Sequence, residues 1–451
     1  MDLSLVAKYD RPIPRYTSYP PVPFWTGAPS PSLWAQGLAE HYDPLRGVDL
    51  YLHIPFCQEL CSYCGCHRVI TKNLARQDAY VEALSKEWTS KIQNAFNGQP
   101  PRINSIHFGG GTPNFLTPEN FEKLLNHLTQ GGKSAHFIGA VEVDPRTIKE
   151  EHLTTFKKLG LSRISLGIQD FDDRVQTEIK RIQPYPLIEA LFKTLRSLNF
   201  ESINFDLIYG LPAQTEATIE DTFAKVLTLG PDHIAFYSYA HLPTKLKNQL
   251  LIKENLLPRG VDKFKLFLRA RSLVKASSYV DIGMDHFARP GSPLSKAFLE
   301  RRLQRSFMGY TVQKSNILIG LGASSISASP VAYVQNEKDV KLYESLCLQG
   351  NLPHTTGHIL SPQDKEAETL IQDLMCHGDV RLSESQKSDI QNHLKEDLQE
   401  FIKDDLLHFS DDQMILTEKG RPFMRNIAAL FDHHLRARQG AATGPRFSQS
   451  I

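Results

Sequence analysis

The sequence predicts an α/β fold: an open, partial (β/α)6 TIM-like barrel with an N-terminal arm before it and a mainly helical C-terminal domain after it. Three observations point there. Short apolar strands alternate with amphipathic helices from residue 48 to residue 240, the pattern of a parallel sheet with helical crossovers. Six such units can be counted, which suits an open barrel better than a closed eight-stranded one. The polar and glycine-rich motifs fall directly after strands, at the carboxyl ends where such sheets bind ligands.

Composition sets the outer bounds. The chain has 451 residues, 41% hydrophobic and 22% charged, enough for two or three domains of ordinary globular character. A net charge of +1 provides no global field for nucleic acid or an anionic membrane, and neither is expected as a partner. No apolar run reaches the roughly 18 residues of a membrane span. The start, MDLSLVAKYDRPIPRY, lacks the apolar core of a signal peptide. A cytoplasmic protein is expected, in which thiols stay reduced and clustered cysteines mean metal or redox chemistry.

In chain order, residues 1–47 form the arm, which contains Arg15-Tyr16-Thr17-Ser18-Tyr19-Pro20. It is either packing alone or a segment whose Arg15 and tyrosines reach the site. Residues 48–334 form the barrel domain with a rim extension. Its strands are expected at 49–56, 103–109, 137–143, 163–169, 202–208 and 233–240. Between them, Tyr80, Leu84, Trp88 and Ile92 share one helical face, as do Phe121, Leu124, Leu125 and Leu128. Residues 245–275 read as helical and charged. Residues 279–290 begin like a strand and end in Asp285, His286 and Arg289. Arg301, Arg302 and Arg305 read as a solvated helix face, and 317–327 as a glycine-rich return to the rim. Residues 335–451 combine helices with a hairpin, a winged-helix-like cover in which Arg421, Arg425 and Asn426 are candidate carboxylate partners. The tail from Gly440 is small and polar, with the composition of a flexible end. Cys347 and Cys376, isolated in helical patterns, read as buried small hydrophobes.

The chemistry concentrates after the first strand, in Tyr51–His67, YLHIPFCQELCSYCGCH, which holds four of the six cysteines. Thiolates are soft ligands, and Cys57, Cys61 and Cys64 from one tight loop can grip three corners of an iron–sulfur cube. The remaining iron stays open to a small chelating ligand such as S-adenosylmethionine. The competing reading is a zinc knuckle with Cys66 as the fourth thiolate, although zinc sites usually pair two separated elements. Tyr63 can stack on an adenine or wall off the cluster. Along the same rim, Gly109-Gly110-Gly111-Thr112-Pro113 offers backbone without side chains to an approaching ligand. Glu142 can bind an amine or a ribose hydroxyl, or else pair with a neighbouring base. Gln169 and Asp206 mark the next rim loops, and Arg181 provides a carboxylate-binding fork.

CxxxCxxC after a strand is the radical S-adenosylmethionine signature. The longer run HIPFCxxxCxYCGC, with PRYTSYP, GMDHFARP, GYT and GLGASSIS, resembles oxygen-independent coproporphyrinogen III oxidase (dehydrogenase) over nearly the whole chain. The resemblance implies one 4Fe–4S cluster on Cys57, Cys61 and Cys64, with Cys66 not a ligand, and two molecules of S-adenosylmethionine. Tyr51, Gly110, Glu142 and Ile326 match contacts to the molecule on the cluster. Tyr63, Gly111, Thr112, Gln169, Arg181, Asp206 and Ala240 match contacts to the second. The implied reaction converts two propionates of coproporphyrinogen III to vinyls through a 5′-deoxyadenosyl radical, giving protoporphyrinogen IX in heme biosynthesis. A small flavodoxin- or ferredoxin-type electron donor and a monomeric state are also implied. The alternative is a heme-handling relative that kept the cluster and lost the decarboxylase activity.

Overall fold

In the computed structural model, residues 3–312, 315–437 and 447–450 are described. The six expected strands are present as β1 (Val48–Ile54), β2 (Ile103–Gly110), β3 (Lys133–Val143), β4 (Leu161–Gln169), β5 (Ser202–Tyr209) and β6 (His233–Ser238). Each pairs in parallel with the next. Parallel pairing requires the chain to cross back over the sheet each time, and the amphipathic helices do so. The helix Arg76–Ala95 buries Tyr80, Leu84, Trp88 and Ile92, the predicted face. The helix Pro118–Leu128 buries Phe121, Leu124, Leu125 and Leu128. It starts where Thr117 accepts a hydrogen bond from the Asn120 amide and Pro118 takes the first helical position.

The sheet is wider than the sequence suggested. Residues 279–290 form an antiparallel hairpin, β7 (Val280–Gly283) and β8 (His286–Ala288), and β8 pairs with β6. The stretch 317–327 supplies β9 (Leu318–Leu321), parallel to β1, and begins β10 (Ile326–Ala328). Then β11 (Ala332–Asn336) and β12 (His354–Ile359) continue antiparallel. The full order is β12-β11-β10-β9-β1-β2-β3-β4-β5-β6-β8-β7. These added strands span three to six residues, too short for alternation to stand out.

Two further expectations are corrected. The run 245–275 is helical only over Gly260–Ala276, because Pro258 and Gly260 stop a continuous helix, and short 3-10 turns precede them. Arg301, Arg302 and Arg305 are not on a helix face, since that helix ends at Leu299. Arg301 and Arg302 are exposed, but Arg305 is buried in the short strand Gln304–Ser306, with its guanidinium over the Tyr310 ring.

The C-terminal region holds the helix Pro362–His377, further helices, and a three-stranded antiparallel sheet that includes the expected hairpin at Leu407–Ser410 and Gln413–Leu416. Of the tail from Gly440, residues 440–446 and 451 lie outside the described residues. Residues 447–450 pack on the arm, where Gln449 bridges to Pro12 and the Ser450 amide donates to the Arg11 carbonyl. Arg425 and Asn426 hold the same arm. Arg425 donates to the carbonyls of Ile13 and Pro14, and Asn426 to that of Tyr9. Their donors are therefore committed to backbone, not left for a substrate carboxylate.

One buried network joins the helix Arg76–Ala95 to the added strands. Glu87 and Lys91 are 2.8 Å apart and essentially without solvent exposure. Lys91 donates to the Gly320 carbonyl, while Glu87 accepts from the Gly322 amide, Asn336 and Tyr343. Removing one member leaves the other charge buried without its partner. Lys91→Ala is expected to cost about 3–5 kcal/mol, read as a lowered urea midpoint. A loss below about 1 kcal/mol, the scale of an exposed pair, would contradict that role.

Candidate active site

The carboxyl ends of β1 to β6 surround a cavity of about 700 Å³. The cysteine loop forms one wall. It leaves β1, and its base is clasped by the parallel pair Phe56–Cys57 and Val69–Ile70. Cys57, Cys61 and Cys64 all face the cavity, and Cys66 lies on its rim with an exposed side chain. The far side of the loop is tethered through its carbonyls. Asn248 donates to those of Ser62 and Cys64 at 2.9 and 3.0 Å, and Gln249 to that of Tyr63 at 3.0 Å. Sequence reading passed over Asn248 and Gln249, which sit in a charged run without any local motif.

The thiol environment fits an electropositive cluster. Burial pushes Cys57 up to about 11 as a free thiol, against a hydrogen bond from the Thr112 hydroxyl at 3.3 Å. A bound cation offsets that burial cost, so coordination and deprotonation go together. The hydrogen bond with the Cys66 thiol brings Cys64 down to about 6. Cys61 meets two guanidiniums, Arg181 at 3.6 Å and Arg146 at 3.9 Å, and both also contact Asp144. Arg146 was missed because it follows the strand-end motif Glu142–Pro145 and looks like a surface base.

The glycine run lies against the loop. A Cβ on Gly111 would come within 2.7 Å of the Pro55 carbonyl oxygen and 3.0 Å of the Cys57 sulfur. Gly110 has φ +117°, a conformation that side chains disfavour. These positions fit a cradle where backbone must come close to a bound group. Glu142 reaches toward the same spot and accepts from His107 Nε2 at 2.9 Å and, more weakly, from the Gly110 amide at 3.4 Å.

The opposite wall comes from β4 to β6. Gln169 ends β4 with φ 69°, left-handed for a non-glycine residue, and the β4–β5 register shifts there. Such strain is found where a side chain must be aimed. Arg181 donates to the Gly167 carbonyl at 2.8 Å and to Gln183. Asp206 accepts from Ser165 at 2.6 Å and Asn204 at 2.9 Å, and burial pushes it up to about 6. Tyr63, Thr112 and Ala240 also line the cavity.

Tyr51 and Ile326 do not line the cavity. Tyr51 stands behind His107, stacked on its ring at 5.8 Å. Ile326 packs with the group Trp25, Tyr333 and Leu360. His286 lines the cavity, with its Nδ1 2.8 Å from the Asp285 carboxylate, while Arg289 is exposed and apart. Arg15 lies one layer back, 2.5 Å from Asp285 and over the ring of Tyr237, which does face the cavity. Deeper in, Arg163 and His233 also line the cavity, each with a buried ring or guanidine nitrogen lacking a protein partner. Neither carried a sequence signal, since each looks like an ordinary strand residue.

Comparison with known proteins agrees with this geometry. Residues 51–226 match the Radical SAM superfamily. The oxygen-independent coproporphyrinogen III oxidase of Bradyrhizobium diazoefficiens is 35% identical, over 94% of this chain and 95% of that protein. The enzyme of the same name from Escherichia coli is 35% identical over 96% of each. A solved coproporphyrinogen III oxidase from Escherichia coli, described as a radical SAM enzyme, superposes with a TM-score of 0.87 at 34% identity, covering 96% of this chain and 99% of that one. With three thiols and a glycine cradle on one barrel cavity, and this similarity along nearly its full length, the chain belongs to the oxygen-independent coproporphyrinogen III oxidase family of radical S-adenosylmethionine enzymes.

Proposed function

We propose that the chain catalyses oxygen-independent oxidative decarboxylation of two propionates of coproporphyrinogen III to vinyls, giving protoporphyrinogen IX. The observation that carries this reading is the placement of Cys57, Cys61 and Cys64 on the wall of a cavity that also holds Glu142, Gln169 and Asp206. The family implies a 4Fe–4S cluster and S-adenosylmethionine, which when bound supply a radical able to remove hydrogen from an unactivated carbon. Each propionate loses a hydrogen atom from its β-carbon to that radical, then carbon dioxide and one electron, which an external one-electron acceptor takes up, leaving a vinyl group.

The chain's own work is holding, orienting and excluding water. Cys57, Cys61 and Cys64 hold the cluster, with Arg146 and Arg181 balancing charge at Cys61. Gly110 and Glu142 serve the S-adenosylmethionine on the cluster directly and Tyr51 through His107, while Ile326, which packs off the cavity, is assigned to it by family resemblance alone. Tyr63, Gly111, Thr112, Gln169, Arg181, Asp206 and Ala240 serve a second one. Arg68 and Arg163 line the cavity, and the Nε of each is buried without a protein partner, which suits them to propionate carboxylates. The arm 1–47 and the cover 335–451 close the open barrel of 48–334. A small flavodoxin- or ferredoxin-type protein delivers electrons to a cytoplasmic monomer. Among the described residues no helix is long and apolar enough to cross a membrane.

Anaerobic turnover of coproporphyrinogen III with S-adenosylmethionine and a reductant tests the activity, and protoporphyrinogen IX is the expected product. Cleavage of S-adenosylmethionine without substrate conversion would instead favour a heme-handling relative. Serine at Cys57, Cys61 or Cys64 is expected to abolish cluster iron and sulfide, whereas Cys66→Ser retains both. Loss at Cys66 with retention at Cys57 would reverse the ligand assignment. Equilibrium binding to cluster-loaded protein is expected to give two S-adenosylmethionines per chain, and Asp206→Ala only one. A single site in the unaltered protein would remove the second set of contacts.

A further inference from the structure

A separate polar cluster lies where the sheet edge, the C-terminal region and the arm meet, and none of its members lines the cavity. At its centre is Asp364, in the first turn of the helix Pro362–His377, with a side chain only 3% exposed. One carboxylate oxygen accepts from the Ser361 amide and hydroxyl at 2.9 and 2.8 Å, which caps the helix. The other contacts are imidazoles. His358 Nε2 from β12 lies 3.0 Å from the carboxylate, His434 Nε2 lies at 2.7 Å, and His433 Nε2 at 3.3 Å.

Among the described residues, those three histidines are the only ion-pair partners of Asp364. A carboxylate this deeply buried needs donors around it, and here they are imidazoles and the capping serine. The site is a carboxyl group with three imidazole nitrogens around it.

We infer that His358, Asp364 and His434 form a binding site for a divalent transition-metal ion, with zinc the best chemical match. The donor atoms of these three residues lie within 4.8 Å of one another. Zinc bonds of about 2.0–2.2 Å in a tetrahedron place ligand atoms roughly 3.3 Å apart, so small side-chain rotations suffice. Two imidazoles and one carboxylate are a borderline set that suits zinc better than calcium or magnesium. The three histidine side chains are between 18% and 27% exposed, so an ion can reach them.

The surroundings supply the outer support that metal ligands need. Ser361 fixes the carboxylate. The Tyr19 hydroxyl is 2.8 Å from His433 Nδ1 and accepts from the His433 amide at 3.0 Å, which fixes the backbone beside His434. The His434 ring packs against Phe24 of the arm. An ion here cross-links β12, the Pro362–His377 helix and the short helix His433–Arg436, and through Tyr19 and Phe24 it secures the arm.

The test uses anaerobic, cluster-loaded full-length protein, because an empty cysteine loop would itself take up zinc. Zinc chloride is added, unbound metal is removed by gel filtration, and zinc and iron are counted. The expected result is one zinc per chain with unchanged iron, and a zinc-dependent rise in Tm. His358→Ala and His434→Ala are each expected to weaken zinc binding at least about tenfold while keeping the iron. Asp364 is left intact because it also caps a helix. Absence of retained zinc would overturn the inference, as would equal retention by both variants. Variants that lower Tm equally with and without zinc would show the cluster to be a hydrogen-bonded latch, which also overturns it.

Discussion

β1 is hydrogen-bonded along both edges, to β2 and to β9, and six of its seven residues are buried. A slip of one residue would turn its apolar side chains to the wrong face, so its register is set firmly. The point at which the cysteine loop leaves the sheet is set with it. The opposite side of the loop is then pinned by Asn248 and Gln249, nearly two hundred positions later in the chain. The thiols owe their common orientation to this two-sided hold. Three thiols on a free loop would gather only at an entropic cost that the fold has already met.

The same wall handles its charge locally. Three thiolates in a half-buried corner would repel one another strongly, since the interior screens poorly. Arg146 and Arg181 face Cys61 from different loops, and Asp144 lies between them. Asp144 keeps the two guanidiniums from repelling each other and aims both. The chain's near-zero net charge hides this arrangement, because a local pair of cations leaves no mark on a global sum.

The six barrel strands could be read from the chain because each is long enough to show its apolar run, and because the helices between them carry unbroken three-four spacing. The cysteine loop and GGGTP could be read because soft-ligand spacing and missing side chains are local properties. What could not be read is long-range. Nothing in LIGL announces that it lies beside β1, and nothing near Asn248 announces a tether to residues 61–64. Arg305 resembled its exposed neighbours Arg301 and Arg302, and only tertiary packing over Tyr310 distinguishes it. Arg425 resembled a substrate-binding base, but the arm's carbonyls, more than four hundred positions away, took its donors. Tyr51 and Ile326 came from motif similarity alone; Tyr51 stands behind the lining residue His107, and Ile326 packs in a separate apolar group.

The first part of the arm draws partners from the C-terminal region, while Arg15 meets Asp285 between β7 and β8. Tyr9, Ile13 and Pro14 are held by Arg425 and Asn426, Tyr16 by Asp432, and Pro12 and Arg11 by residues 449 and 450. Several of these contacts close loops of roughly four hundred residues, so the junction gains nothing from chain proximity. Its two sides stay together only while the intervening barrel keeps its shape, which makes this seam a sensor of the integrity of everything between them.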